Sequence, residues 1–356
     1  MIATENITIN KIKNSRLPKV DLNNVPFGSV LSDHMLVSNY INGEWQASVI
    51  EPFGDITISP AMLALHYGQI VFEGMKAFKM KDGSVSIFRM EKHYDRFCKS
   101  MERMCIPPMS YEHFNEAMKA LVKIDAAWVP GSEGSSLYIR PFVFASEERF
   151  GVKVAEEYKF IIFSGPVGPY YSNPLKVKVE DKYRRAASGG TGSAKCAGNY
   201  GGAFYPSSLA RKEGFDQVLW TDGSAELNIE ESGTMNVLFM INNVLVTPSL
   251  SDSILDGITR DSFITIAKDM GIKVEERKIS ATELISAHGK GILQEAFGTG
   301  TAAVVAPIQL IHVKGKDYAL PAIKDDNVAL KIKQRLLDIR VGAVADKNNW
   351  NTIIKA

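Results

Sequence analysis

A lysine in a segment of small residues is the first candidate for chemistry. Residues 181–202 read DKYRRAASGGTGSAKCAGNYGG, and Lys195 stands there between Ala194 and Cys196. Small neighbours let the backbone approach a ligand and leave the amine room to reach it, as a lysine that forms a Schiff base with an aldehyde requires. The alternative that stays open is a solvated lysine in a flexible loop.

The residues at the positions that matter exclude two nucleotide-binding motifs. A P-loop needs Gly directly before its lysine and Ser or Thr directly after it, whereas this chain has Ala194 and Cys196. Residues 298–303, GTGTAA, resemble a dinucleotide fingerprint, which a helix should follow. The next residues, VVAP, read instead as a strand broken by Pro307. Neither motif therefore predicts a nucleotide site.

Composition narrows the class of protein and of partner. The 356 residues suggest about two domains, and 45% hydrophobic with 23% charged residues is ordinary for a globular protein. The net charge of +1 predicts no nucleic-acid or membrane partner, so a small molecule is expected. Six scattered histidines without an HExxH motif predict no metal site. Three cysteines without a CxxC pair, and no secretory signal, predict a soluble cytoplasmic protein.

The order of elements predicts an α/β fold in two domains. Short β-like runs before residue 88 are followed by two helical patterns, at 91–104 and at 111–127 with Ser110 as N-cap. Residues 165–174, with three prolines and two glycines, read as a linker. We therefore expect an N-terminal domain over 1–164 and a C-terminal domain over 175–356 that carries Lys195. In the second domain Asn199 is expected to cap a helix.

Other residues fit one cofactor with an aldehyde, a basic ring nitrogen and a phosphate, namely pyridoxal phosphate. A ring nitrogen kept protonated needs a carboxylate beside it, and Glu231 in IEESGTMN offers one. Helix-start amides and hydroxyls at residues 257–259 and 298–301, with Arg96, suit a phosphate. Each also has a structural reading: Glu231 as a solvated turn residue, Thr259 as a helix cap and Arg96 as a surface residue.

The motifs together resemble the branched-chain aminotransferases of the type IV pyridoxal-phosphate fold. YRRAASGGTGSAKCAGNYGG, DQVLW and IEESGTMN carry the resemblance, with FGSVLSDHML, LHYGQIVFEGMKAF and SLYIRP upstream and GITRDS and FGTGTAAVVAPI downstream. These matches run in order from Phe27 to Pro307. The resemblance implies two α/β domains with the cofactor between them, the second being a pseudo-barrel, and a homodimer.

The resemblance also assigns roles to residues. Lys195 is implied as the catalytic residue that carries the cofactor and moves the proton at Cα. The implied cofactor contacts are Lys195, Arg96, Tyr200, Glu231, Thr234, Ile258, Thr259 and Thr301. The implied substrate pocket, to which Thr234 also belongs, is lined by Phe27, Tyr67, Phe72, Tyr138, Arg140, Tyr170 and Ala302.

The implied reaction is transfer of the amino group of L-leucine, L-isoleucine or L-valine to 2-oxoglutarate, giving the 2-oxo acid and L-glutamate. The alternatives are a D-amino-acid aminotransferase or an aminodeoxychorismate lyase of the same fold, and a non-catalytic protein that binds pyridoxal phosphate. Tyr138 and Arg140 alternate along a predicted strand and therefore share a face, where Arg140 is expected to bind the γ-carboxylate of glutamate. The competing expectation is that Arg140 pairs with Glu147.

Overall fold

The computed structural model describes residues 7–168 and 173–354, which divide into two compact units. Of the described residues, the first unit comprises 7–168, 194–197 and 338–354, and the second comprises 173–193 and 198–337. Both units combine helices with a β-sheet, so the predicted α/β class is confirmed.

The sheet of the first unit has ten strands among the described residues. They run in the order β1-β4-β2-β9-β8-β6-β7-β19, with β3 beside β2 and β5 beside β8. Their bounds are β1 Thr8–Ile9, β2 His34–Ile41, β3 Glu44–Trp45, β4 Val49–Pro52, β5 Ile70–Phe72, β6 Met75–Lys79, β7 Val85–Phe88, β8 Ser136–Ala145, β9 Tyr158–Val167 and β19 Asn351–Ile354.

Strand β8 shows why this sheet orients the side chains that matter. Leu137, Ile139 and Val143 are buried in the core, whereas Tyr138 and Arg140 between them are half-buried. This is the alternation expected of a strand with one face on a core and the other on a different environment. Tyr138 and Arg140 therefore share the face opposite the core, as the sequence predicts.

Helices cover the core face of the first unit. They are α1 Leu63–Tyr67, α2 Met90–Arg103 and α3 Tyr111–Ile124, with short 3₁₀ turns at Leu17–Lys19 and Ala126–Trp128. Helix α2 buries Met90, Phe97 and Met101 in one stripe. The Ser110 side chain accepts the His113 N–H at 3.1 Å at the start of α3, so the predicted N-cap is confirmed.

The sheet of the second unit has nine strands among the described residues. They run in the order β12-β11-β10-β17-β16-β13-β14-β15, with β18 beside β17 and an added pairing of β12 with β13. Their bounds are β10 Leu175–Val179, β11 Gln217–Thr221, β12 Ile229–Ser232, β13 Met235–Ile241, β14 Val244–Thr247, β15 Lys273–Glu276, β16 Leu293–Thr299, β17 Ala306–Val313 and β18 Lys316–Ala319. Strand β13 is buried along its whole length, as a central strand should be.

The remaining helices are α4 Ala197–Gly201, α5 Phe204–Lys212, α6 Ile258–Asp269, α7 Ala281–Gly289 and α8 Val328–Arg340. The prediction that Asn199 caps a helix is wrong, because Asn199 lies within α4. Its side-chain amide instead donates to the Thr191 carbonyl at 2.8 Å and its oxygen accepts the Thr191 hydroxyl at 2.7 Å. The amide thus fastens a loop, a role that capping propensity cannot distinguish from a cap.

The predicted domain boundaries differ from the compact units in two places. Residues 194–197 group with the first unit because Lys195 and Cys196 hydrogen-bond or pair with its elements, and residues 338–354 add β19 to the first sheet. The predicted linker begins inside β9, which continues to Val167, and its residues 169–172 lie outside the described part of the chain. No helix within 7–168 and 173–354 combines the length and apolar character needed to cross a membrane.

Candidate active site

The backbone of Lys195 is held by two elements of the first unit. Its N–H donates to the Ser100 hydroxyl of α2 at 2.9 Å, and its carbonyl accepts the Phe72 N–H of β5 at 3.0 Å. The next residue, Cys196, is buried and forms an isolated bridge with Val71. The side chain of Lys195 is half-buried, with Nζ 4.7 Å from the centre of the Phe72 ring. These contacts exclude the reading of Lys195 as a solvated residue in a flexible loop.

Four predicted substrate residues come together beside this lysine, within the first unit. The Arg140 guanidinium lies 4.8 Å from the centre of the Phe72 ring and 5.4 Å from that of Tyr138, and Nη2 donates to the Tyr138 hydroxyl at 3.2 Å. Phe27 packs edge-on against Tyr138 with 5.3 Å between ring centres. Gly74 makes room for the group, since a Cβ there would lie 1.9 Å from the Tyr138 hydroxyl oxygen.

Arg140 does not pair with Glu147, the competing partner. Glu147 instead accepts hydrogen bonds from Arg149 at 3.5 Å and from Lys153 at 3.1 Å. Within the described residues, the buried Nε of Arg140 has no hydrogen-bond partner. A half-buried guanidinium whose buried Nε–H is unsatisfied is a site that favours an anion.

Arg96, in the middle of α2, belongs to a buried ionic cluster. Its Nε and Nη2 donate to the two carboxylate oxygens of Glu73, at 2.7 and 2.9 Å, and His93 Nδ1 donates to Glu73 Oε2 at 2.8 Å. All three side chains are buried, so the reading of Arg96 as a surface residue is wrong. The geometry fixes both the plane and the direction of the guanidinium.

Electrostatics keep this cluster in one protonation state. Burial favours the neutral acid, but the charge of Arg96 and the hydrogen bonds from His93 and Arg96 outweigh it and hold the pKa of Glu73 below its usual range. Burial also lowers the pKa of His93, against the opposing influence of Glu73. Glu73 is thus ionised and His93 neutral at neutral pH, which matches the donor and acceptor roles that the distances require.

Two of the predicted pocket residues, Tyr67 and Phe27, are exposed on the surface of the first unit. Tyr67 ends α1 and exposes 44% of its surface, and Phe27 exposes 38%. Tyr170 lies outside the described residues, so nothing in the structure bears on it.

Glu231 lies in β12 of the second unit and is buried, so the reading as a solvated turn residue is wrong. Its Oε1 accepts the Leu255 N–H at 2.8 Å, and the Asn236 amide approaches the same oxygen at 3.4 Å. Its Oε2 lies 2.8 Å from Arg185 Nε in an ion pair whose N–H direction is not aligned for a hydrogen bond. A backbone amide, a side-chain amide and a guanidinium therefore fix the position of the carboxylate.

The start of α6 adjoins this carboxylate within the second unit. Asn236 Nδ2 donates to the Leu255 carbonyl at 2.9 Å, and a Cβ on Gly257 would lie 1.7 Å from Asn236 Oδ1. Glycine is therefore required at the N-cap of α6, where no side chain caps the helix. Ile258 and Thr259 follow as its first buried residues, and uncapped N–H groups at a helix start favour an anion. The reading of Thr259 as the cap residue is wrong, because Gly257 holds that position.

Thr301 and Ala302 lie in the turn that follows β16, the strand paired with β13, which contains Asn236. Thr299 pairs with Asn236 across β16 and β13, and the Val304 N–H closes the turn onto the Gly300 carbonyl at 2.8 Å. Both turn residues are half-buried. Thr234 is exposed in the turn between β12 and β13, and Tyr200 is half-buried in α4.

Four polar residues of these clusters had no role in the sequence-based prediction. Glu73, His93 and Ser100 accompany Arg96 and Lys195 in the first unit, and Arg185 accompanies Glu231 in the second. A local signal exists for His93 and Ser100, since they stand three and four residues from Arg96 and hence on its side of a helix. The partners of Glu73 and Arg185 are distant in sequence, so only the fold reveals them.

The chain is similar to proteins of known function. A profile of the family described as amino-transferase class IV matches residues 70–311. The chain belongs to the class IV aminotransferase family. The predicted family is thereby confirmed, and the matched range includes both clusters around Lys195 and Glu231.

Similar curated proteins extend the likeness over nearly the whole chain. Branched-chain-amino-acid aminotransferase 2 of Bacillus subtilis strain 168 is 43% identical over 350 residues, which cover 97% of this chain and 96% of that protein. A probable branched-chain-amino-acid aminotransferase of Staphylococcus aureus strain MRSA252 is 43% identical over 94% of this chain and 95% of its own length.

Solved structures of similar proteins agree with the fold. The branched-chain aminotransferase of Thermoproteus uzoniensis with norvaline matches with a TM-score of 0.74 at 26% identity, covering 90% of this chain and 100% of that one. The branched-chain amino acid aminotransferase of Escherichia coli matches with a TM-score of 0.71 at 26% identity, covering 90% of this chain and 99% of that one. The type IV fold expected from the sequence is confirmed.

Proposed function

We propose that this chain is a branched-chain aminotransferase, which moves the amino group of L-leucine, L-isoleucine or L-valine to 2-oxoglutarate by means of pyridoxal phosphate. The names of its relatives and the clusters described above support the proposal. The observation that carries it is the Phe72 ring, which has the Lys195 amine at 4.7 Å and the Arg140 guanidinium at 4.8 Å.

That arrangement suits an enzyme with two unlike substrates. An aromatic face packs well against an aliphatic side chain, whereas a half-buried guanidinium with a buried, unsatisfied N–H is suited to a carboxylate. One pocket can thus take the side chain of leucine against Phe27 and Phe72, and the γ-carboxylate of glutamate on Arg140 and Tyr138. Tyr67, Tyr170, Thr234 and Ala302 are each proposed as further substrate-binding residues.

The residues present also fit pyridoxal phosphate. Bound there, it supplies an aldehyde for amines and a protonated ring that stabilises negative charge at Cα. Lys195 is proposed to hold the aldehyde and to move the Cα proton. Glu231, with hydrogen bonds from two amides and an ion pair with Arg185, is proposed to retain the proton on the ring nitrogen. Arg96 in the first unit and the uncapped start of α6 at Ile258 and Thr259 in the second are each proposed as phosphate ligands. Thr301 and Tyr200 are proposed as further contacts.

We also propose that the protein is a cytoplasmic homodimer. Phe150 exposes 93% and Val152 exposes 82% of its surface in one loop of the first unit, an apolar surface that a second copy would cover. Cys98, Cys105 and Cys196 are free, in keeping with a reducing compartment. Light scattering coupled to gel filtration measures the assembly directly.

The test of function combines colour and product. The purified protein with pyridoxal phosphate is expected to be yellow, and L-leucine is expected to bleach the band while 4-methyl-2-oxopentanoate appears in equal amount. D-leucine serves as the control and should leave the band unchanged. Lys195→Ala should bind the cofactor without turnover. A chain that bleaches with D-leucine, or that stays colourless with cofactor, is not this enzyme.

A further inference from the structure

The Ser100 side chain connects the backbone of Arg96 to the backbone of Lys195 in the first unit. The residue is completely buried in α2, one turn after Arg96. Its hydroxyl donates to the Arg96 carbonyl at 2.9 Å and accepts the Lys195 N–H at 2.9 Å. A hydroxyl has one proton to give, so the bond to the Arg96 carbonyl turns a lone pair toward the lysine amide.

Other elements complete the hold on the lysine backbone. The Phe72 N–H donates to the Lys195 carbonyl, and Cys196 pairs with Val71. The neighbours Ala194 and Cys196 have short side chains that cannot anchor the segment at a distance. Hydrogen bonds to the backbone therefore determine where the Lys195 side chain starts.

We propose that Ser100 is a positioning residue for Lys195, which sets the origin of the lysine side chain relative to Arg96. The proposal rests on the roles proposed above for these two residues. A lysine that moves a proton must place Nζ within a few tenths of an ångström, and its reach depends on where Cα is fixed. Ser100 would act on the reaction through the Lys195 backbone and without touching the substrate.

The variant Ser100→Ala tests this, with Ser86→Ala as its matched control. Ser86 is also completely buried in the first unit, and its hydroxyl donates to the Arg340 carbonyl at 3.1 Å. Both variants lose a buried hydroxyl bonded to a carbonyl, but only Ser100→Ala leaves the Lys195 amide without its acceptor. We expect Ser100→Ala to slow single-turnover reaction with L-leucine by about 10-fold, within the range for an unsatisfied buried donor. Its cofactor affinity should match that of Ser86→Ala, which should react at the wild-type rate, whereas its melting temperature should fall somewhat further because the Lys195 N–H is left unsatisfied.

The same substitution in a Lys195→Ala variant distinguishes an effect on the position of the lysine from an effect on the fold. Lys195→Ala supplied with methylamine uses a free amine in place of the tethered one. There Ser100→Ala should have no further effect on the single-turnover rate, because no lysine remains to be positioned. A loss of the same size in this background, or an equal loss in Ser86→Ala, overturns the proposal. If Ser100→Ala does not fold, Ser100→Cys replaces it, and its weaker acceptor should give a smaller loss in the same direction.

A separate measurement keeps this inference distinct from the proposed function. Wild-type protein is incubated with pyridoxal phosphate, reduced with borohydride and digested, and the mass of the peptide containing Lys195 is determined. An unmodified Lys195 peptide contradicts the proposed function itself. A modified peptide together with a wild-type rate for Ser100→Ala overturns the role of Ser100 alone.

Discussion

Glu73 and Arg96 meet fork to fork, with Oε1 2.7 Å from Nε and Oε2 2.9 Å from Nη2. Glu73 directly follows β5 and Arg96 belongs to α2. The ion pair therefore connects this helix to the end of β5. Since Glu73 is ionised and buried, the direction of the Arg96 guanidinium is fixed before any ligand arrives.

Replacing Glu73 by Gln should therefore weaken the binding of phosphate by Arg96. We expect about 10-fold or more loss of affinity for pyridoxal phosphate, because the guanidinium loses its charged partner. Affinity for pyridoxal, which has no phosphate, should change little, and both are measured by absorbance titration of the apoprotein. Glu147→Gln, which removes a carboxylate that pairs with Arg149 and Lys153, is the control. Equal losses for the two ligands would assign Glu73 to the fold alone.

Glu231→Gln should retain the fold and lose most of the rate with both L-leucine and L-glutamate. A neutral amide no longer favours the protonated ring nitrogen, and the loss of a charge-assisted hydrogen bond predicts roughly 10- to 150-fold. The neighbouring Glu230→Gln is the control. Glu230 is buried as well, its pKa is raised by burial, and its Oε1 accepts the Ser253 hydroxyl. Single-turnover rates that fall equally in the two variants would contradict the role of Glu231.

Arg140→Met should separate the two substrates. Without the guanidinium the γ-carboxylate has no cationic partner, so single-turnover reaction with L-glutamate should slow by roughly 10- to 150-fold. Reaction with L-leucine should stay within a few-fold, because Phe27 and Phe72 remain. Arg149→Met removes a guanidinium that is half-exposed and serves as control. A parallel loss for leucine and glutamate would show that Arg140 maintains the sheet.

Lys76 should make the free energy of unfolding depend on pH between about 7 and 10.5. Burial, assisted by the charge of Arg340, lowers its pKa from 10.5 to about 7, so the folded state binds its proton less tightly than the unfolded state does. The resulting penalty is largest below pH 7 and disappears as pH rises through 10.5. Lys76→Met is thus expected to raise the free energy of unfolding at pH 7 by roughly 1–5 kcal/mol, and by little near pH 10.5. Denaturant titrations at both values test this against Lys79→Met, an exposed position of the same strand. A difference independent of pH would reject the titration of Lys76 as its cause.

Local patterns carried much of the prediction. The alternation along β8 and the cap at Ser110 are properties of neighbouring residues, so the sequence alone predicts them. The motifs around Lys195 and Glu231 predict the family in the same way. Asn199 was misread because its side chain bonds Thr191 instead of capping a helix. Its residue type permits both.

Partners across the fold could not be read in this way. Glu73 meets Arg96 because β5 and α2 pack in one unit, and Arg185 meets Glu231 because a loop passes beside β12. Neither pair has a characteristic spacing along the chain. The grouping of residues 194–197 with the first unit likewise depends on hydrogen bonds to β5 and α2 that no local pattern encodes.

The position of β19 has a consequence for synthesis of the protein. Residues 351–354 pair with β7, the Arg89 N–H donates to the Trp350 carbonyl at 2.6 Å, and Trp350 packs edge-on against Phe88. A ribosome makes β7 more than two hundred residues before this partner. The edge of β7 therefore stays unpaired for most of translation, when an exposed edge can recruit other chains. The second unit, whose residues end at 337, can complete its own sheet before the first one closes.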